Sequence, residues 1–194
     1  YPEKSADNIM VHPDVRRMAL NVRAYNEAGR AFASYVGMQL DISKFHQDED
    51  TRKKAGDLVA LLTPVAKAYL TDRGLDCTIT AQQIYGGQGY IREWGAEQYV
   101  RDARIAQIYE GTNGIQALDL MGRKVVANKG EYVKLFEADI REFIAQNADN
   151  TAVQPYLEKL GAALETLVQV TDNVRACAQS NPEEIGAASV DYLN

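Results

Sequence analysis

Positive charge is in deficit along this chain: 21 Lys and Arg stand against 27 Asp and Glu, for a net charge of -6 and an isoelectric point near 5.0. Nucleic-acid affinity rests on clustered Lys and Arg, so no nucleic-acid partner is expected. Long hydrophobic runs are missing too. No stretch approaches the roughly 20 apolar residues that span a bilayer, and Tyr1-Pro2-Glu3-Lys4-Ser5 has no apolar signal core, so no membrane span is expected. Cysteine is nearly absent. Cys77 and Cys177 lie far apart without metal-ligand spacing, which predicts two reduced, buried thiols in a cytoplasmic setting, or in the mitochondrial matrix for a eukaryotic source. The two histidines, His12 and His46, have neither paired ligands nor a nucleophile beside them, and no metal site is assigned. There is no strand pattern of convincing length, no internal repeat and no low-complexity segment.

What remains is a helical chain. With 46% hydrophobic and 25% charged residues, its length suffices to bury a real core as one or two domains of a soluble globular protein. After the start signal at Pro13, the positions Val15, Met18, Val22, Tyr25, Phe32 and Tyr35 recur at helical spacing up to about Leu40. The charged stretch Lys44 to Lys54 is expected to make a turn. From Ala55, Leu58, Leu62, Val65 and Tyr69 predict a second helix, bent at Pro64, that continues past Gly74 and stops at Gly86-Gly87. A shorter helix is predicted from Gly95 to Gln107 and another from Asn113 to Ala127, with Thr112 as its N-cap. A composition shift at Asn128-Lys129-Gly130 suggests a boundary. Beyond it the pattern predicts helices over 131–148 and through the seam Leu157, Leu160, Leu164, Leu167 and Val174, which reads as a bundle core. Asn181-Pro182-Glu183-Glu184 announces a last helix, whose short run to Asn194 is expected to be truncated. The fold class expected is all-α, an antiparallel bundle over 1–127 with further helices over 128–194.

Two glycine-rich turns carry the chemistry. Gln107-Ile108-Tyr109-Glu110-Gly111-Thr112-Asn113-Gly114-Ile115-Gln116 places a single carboxylate on a short loop between helices, from which a side chain can reach a substrate. Gln83-Ile84-Tyr85-Gly86-Gly87-Gln88-Gly89-Tyr90 ends a helix in a turn with exposed backbone amides, to which a pyrophosphate can bind. It is not a dinucleotide fingerprint, because no strand precedes it. Taken singly, each is an ordinary surface turn or helix stop; together they point to a cofactor-dependent enzyme.

These two segments, with Tyr99-Val100-Arg101-Asp102-Ala103-Arg104-Ile105 between them, stand in the order and spacing of the flavin-dependent acyl-CoA dehydrogenases, and the chain resembles that family. The resemblance is densest over 62–123 and extends back to His12-Pro13-Asp14-Val15-Arg16-Arg17-Met18. It implies the C-terminal helical part of a longer dehydrogenase, with the helices after Asn128 resembling the extra C-terminal extension of a larger subgroup. It further implies FAD as cofactor, an acyl-CoA substrate, electron-transfer flavoprotein as electron acceptor, and a homo-oligomer, dimer or tetramer.

By the same resemblance Glu110 is the base that removes the substrate α-proton while a hydride leaves the β-carbon. Such a weak carbon acid needs a base of raised pKa, supplied by desolvation under bound substrate, and donors for the enolate oxygen. Gly111 lets the loop approach the acyl-CoA without a Cβ. Gln83, Ile84, Tyr85, Gly86 and Gly87 are expected against the adenosine diphosphate part of FAD, and Thr112, Asn113 and Gly114 against FAD beside the base. Gly114 replaces the glutamine of several relatives, which removes one side-chain contact. Arg101 and Arg104 are expected to fix their helix through ion pairs to Asp102 or Glu97. Tyr90 and Trp94 are expected on a domain surface or subunit interface. An acyl-CoA oxidase and a non-catalytic helical interaction module are the rival readings.

Overall fold

The computed structural model describes Glu3 and residues 6 to 194. Every regular element among these residues is helical: α1 (Pro13–Phe45), α2 (Glu49–Ile84), the single turn α3 (Gly87–Tyr90), α4 (Ala96–Ala106), α5 (Asn113–Leu118), a π-helix (Asp119–Val126), α6 (Glu131–Gln146), α7 (Gln154–Ser180) and α8 (Glu183–Leu193). Short 3₁₀ turns cover Ile9–Val11 and Arg92–Trp94. The expected all-α class is observed. No helix among the described residues is long and apolar enough to cross a membrane. The chain forms two compact units, Tyr1–Tyr35 with Ala66–Thr112, and Val36–Val65 with Asn113–Asn194.

The charged stretch from Lys44 to Lys54 is mostly helix rather than turn. Only His46, Gln47 and Asp48 separate α1 from α2, because the charges cap helix ends. The Asp48 carboxylate accepts from the Thr51 amide at 2.8 Å and from its hydroxyl at 2.6 Å, closing the N-terminus of α2. Those bonds hold the Asp48 carboxyl below the usual carboxylate range. Glu49 and Asp50 then sit where the helix dipole favours negative charge. Arg52 Nη1 donates to the carbonyls of His46 and Gln47 at 2.7 and 3.0 Å. Pro64 lies inside the continuous α2, fully buried.

In the first unit α1 and α2 run antiparallel. Phe32 and Tyr69 meet edge to face at 6.2 Å, Gly29 faces Leu70, the Arg73 guanidinium covers the Tyr25 ring at 5.5 Å, and Cys77 Sγ approaches the Val22 carbonyl. Numbers fall along one helix as they rise along the other. A Cβ at Gly29 would stand 3.1 Å from Leu70 Cδ2, so glycine there sets how closely the helices pack. Cys77 is half-buried, with its thiol pushed up by burial, but Cys177 is exposed; the expected pair of buried thiols is therefore corrected. Cys177 falls on the outer side of α7 because the seam facing inward uses Leu157, Leu164, Thr171 and Ala178, one every seven residues.

The second unit is built around Leu61, Leu120, Met121, Val125 and Val133, with Val65, Phe136, Val174, Ile185 and Tyr192 packed against them. α8 lies on α5, the π-helix and α7, and α6 lies on α7. The leucine seam is a bundle core as expected: Leu157 and Leu164 are buried and Leu160, Leu167 and Val174 half-buried. The expected helix 113–127 changes winding at Asp119. Bonds spanning five residues, such as Ala127 N–H to Gly122 O at 2.9 Å, continue to Gly130, whose amide reaches Val125 O at 2.8 Å. With Lys129 N–H on Val126 O and Lys129 left-handed at φ 58°, this is a Schellman stop, so Asn128-Lys129-Gly130 is a tight helix-to-helix turn.

A part-buried polar lock joins α7 to α8. Thr171 Oγ1 donates its one proton to the Leu167 carbonyl at 2.7 Å, so the Tyr192 hydroxyl, 2.6 Å away, must donate to Thr171. Burial raises the Tyr192 pKa above the usual tyrosine value. A raised folded-state pKa means stability that is complete below the unfolded pKa, about 10, and is lost as pH climbs through the folded one. Stability should thus fall above pH ~10 in the wild type and fall less steeply in Tyr192→Phe, which itself should cost about 1 kcal/mol at neutral pH. Chemical denaturation of both proteins across this range is the check; equal alkaline slopes would show that Tyr192 is not buried in the folded chain.

Candidate active site

Both glycine-rich turns belong largely to the first unit. At the end of α2, Gly86 adopts φ 58°, ψ -144°, a conformation that side chains resist, and its amide closes on the Gln83 carbonyl at 2.9 Å. The chain then folds back on itself: Gly89 N–H donates to Gly86 O at 3.0 Å, and Gln82 Nε2 to Gly89 O at 3.2 Å. A Cβ on Gly89 would lie 2.3 Å from the Gln82 carbonyl, so this buried glycine is required for α3 to lie against α2. Gly87 differs. Its φ is ordinary and a Cβ there would meet open space, so neither backbone nor packing within the chain calls for glycine.

This fold-back turns Gln83, Tyr85, Gly86 and Gly87 outward, with Ile84 half-buried. Ile84, Tyr85 and Gln88, with Ile9 and Trp94, line a concavity of about 490 Å³. Trp94 is 59% exposed and Tyr90 82% exposed, the surface placement expected of both. Ile9 and Gln88 escaped sequence reasoning. Ile9 is brought there by the 3₁₀ turn capped by Asn8, whose side chain accepts from Met10 N–H at 2.9 Å, and no periodicity marks that.

The second turn follows α4. Gly95, left-handed at φ 74°, starts this helix, and the amides of Ile108 and Tyr109 close its end on the Ile105 carbonyl at 3.0 and 3.1 Å. Arg104 does not use the expected carboxylates. Its Nη1 donates to Gln107 Oε1 at 2.8 Å, while Asp102 accepts from Gln98. Gln107 Nε2 donates in turn to Asp72 Oδ1 of α2. Beyond this brace the chain turns through two consecutive left-handed residues, Glu110 at φ 55° and Gly111 at φ 80°.

Among the described residues only Glu110 and Lys129 adopt positive φ without being glycine. Lys129 is accounted for by its helix stop. For Glu110 the left-handed backbone costs roughly 1–2 kcal/mol, and strain of this kind collects at functional sites. Glu110, Gly111 and Thr112 are exposed at the end of the first unit, whereas half-buried Asn113 and exposed Gly114 open α5 in the second.

Residues 3–125 match the acyl-CoA dehydrogenase C-terminal domain, and residues 136–194 match an acetyl-CoA dehydrogenase C-terminal-like domain. The chain belongs to the acyl-CoA dehydrogenase family. Within that family it is similar to 3-methylmercaptopropionyl-CoA dehydrogenase of Ruegeria pomeroyi, 38% identical over 95% of this chain and 32% of the relative. A butyryl-CoA dehydrogenase of Syntrophomonas wolfei is 34% identical over 87% of the chain and 28% of its own length. The broad-specificity linear acyl-CoA dehydrogenase of Mycobacterium tuberculosis is 32% identical over 98% of the chain and 33% of its own length. The chain thus spans about a third of the length of the curated relatives it matches.

Proposed function

We propose that this chain acts as the C-terminal helical part of an FAD-dependent acyl-CoA dehydrogenase, with residues 128–194 as its helical extension, and that Glu110 removes the α-proton of an acyl-CoA thioester. The observation that carries the reading is the left-handed Glu110, exposed on the loop after α4 and followed by a left-handed glycine. In the reaction the α C–H pair becomes the new C=C bond, the proton passes to the Glu110 carboxylate, and the β-hydrogen leaves as hydride. FAD supplies the hydride acceptor when bound. The Glu110 backbone N–H donates to the thioester carbonyl, where negative charge develops. Gly111 keeps the loop bare of side chain beside the substrate.

The residues of the first turn fit the adenosine diphosphate end of FAD. Gly87 is bare without an internal reason, the exposed backbone at Gly86 is free of side chain, and Tyr85 and Trp94 give aromatic walls to a concavity large enough for a ring system. Gln83 and Ile84 complete that contact, and Thr112, Asn113 and Gly114 flank FAD beside the base. The product is the 2,3-enoyl-CoA, electrons pass on to electron-transfer flavoprotein, and the enzyme works as a homo-oligomer, a dimer or tetramer.

The test is spectroscopic. Full-length enzyme bearing this sequence, mixed with acyl-CoA without oxygen, should lose its flavin absorbance. Protein purified without flavin, or flavin that no acyl-CoA bleaches, would sink the proposal, and rapid peroxide formation in air would turn it toward an oxidase.

A further inference from the structure

The brace at the foot of the Glu110 loop is polar, half-buried and bonded at both ends. Gln107 accepts from Arg104 Nη1 at 2.8 Å and donates to Asp72 Oδ1 at 2.5 Å, tying the end of α4 to α2 three residues before Glu110. Its orientation is forced by its partners. A guanidinium only donates and a carboxylate only accepts, so a flipped amide would set N–H against N–H and O against O. Both bonds are to charged groups, which makes them the stronger kind. Asp72 and Gln107 are half-buried, and Arg104 closes the brace from the solvent side. Tyr109, whose amide bonds the Ile105 carbonyl at 3.1 Å, and Glu110 follow just beyond α4, and the backbone at Glu110 is in a conformation the residue does not favour on its own.

We infer that Gln107, held between Asp72 and Arg104, is a positioning residue that fixes where the Glu110 loop leaves α4. The inference rests on Glu110 being the base proposed above. Without the brace the last turn of α4 can unwind, the left-handed turn loses its fixed origin, and the carboxylate spends less time within reach of the α-proton. A misplaced base lowers the chemical step more than substrate binding.

The experiment uses the full-length flavin-loaded enzyme and follows flavin reduction by acyl-CoA in single turnovers. Gln107→Leu, which abolishes both bonds, should slow reduction about 10- to 100-fold, with the acyl-CoA Kd read from the concentration dependence of that rate changed less than about three-fold. Gln107→Glu keeps the Arg104 bond but faces Asp72 with a second carboxylate, and should also slow it. Asp72→Ala should resemble Gln107→Leu, and Asp72→Asn, which can still accept, should recover most of the loss. In a Glu110→Gln background Gln107→Leu should add almost nothing, because a brace that aims the base has no base to aim. A wild-type reduction rate in Gln107→Leu overturns the inference even where Glu110→Gln is inactive. So does a Gln107→Leu loss that multiplies fully with that of Glu110→Gln, which would mark general destabilisation. A Glu110→Gln enzyme of nearly wild-type rate removes the base itself, a failure separate from that of the brace.

Discussion

Replacing Glu110 with glutamine in the full-length enzyme is expected to slow flavin reduction by acyl-CoA about 10²–10⁴-fold, the usual contribution of a positioned general base. Glutamine keeps the length, shape and hydrogen bonding of the side chain but cannot take up the proton. It also leaves the backbone problem unchanged, since glutamine is no better suited than glutamate to φ 55°. Flavin and acyl-CoA affinities should therefore move less than about three-fold, and the loss should appear in the chemical step. A surface-turn glutamate makes the opposite forecast, with turnover intact and stability within about 0.5 kcal/mol of wild type. Nearly normal bleaching by the mutant would end the assignment of Glu110 and direct the search for a base to another residue.

Much of this fold was legible because its punctuation is local. Pro13 and Pro182 mark helix starts, Gly86 a stop and Gly95 the entry to α4; each works through backbone geometry that sequence displays directly. The stretch from Lys44 to Lys54 was misleading because a charge run looks the same whether it solvates a loop or caps a helix. What decides is the pairing of Asp48 with Thr51 and of Arg52 with two carbonyls at the end of α1. Pro64 illustrates tertiary context in another way, being buried within a continuous helix. The site follows the same division. Glu110 and Gly86 could be located from motif and turn chemistry. The brace could not, since Asp72 lies 35 residues before Gln107 and nothing local relates a helix-interior aspartate to a distant amide. Exposed Cys177 was misplaced because cysteine's preference for burial carries no information about which side of a helix it occupies.

Met121→Ala is expected to destabilise the second unit by about 2–5 kcal/mol, the cost of a large-to-small change at a fully buried site. Met121 is 0% exposed and sits in the cluster of Leu61, Leu120, Val125 and Val133. Along the π-helix Leu120, Met121 and Val125 are buried, while half-buried Asp119 meets both exposed Arg123 at 3.2 Å and half-buried Lys124 at 4.0 Å. A five-residue ion pair such as Asp119 with Lys124 suits this wider coil, whereas an α-helix favours spacings of three and four. Leu118, one position before the π-helix and 44% exposed, provides the control, and its change to alanine should cost no more than about 0.5 kcal/mol. Chemical denaturation of the chain measures both. A Met121→Ala loss below about 1 kcal/mol would show that the residue does not fill the core.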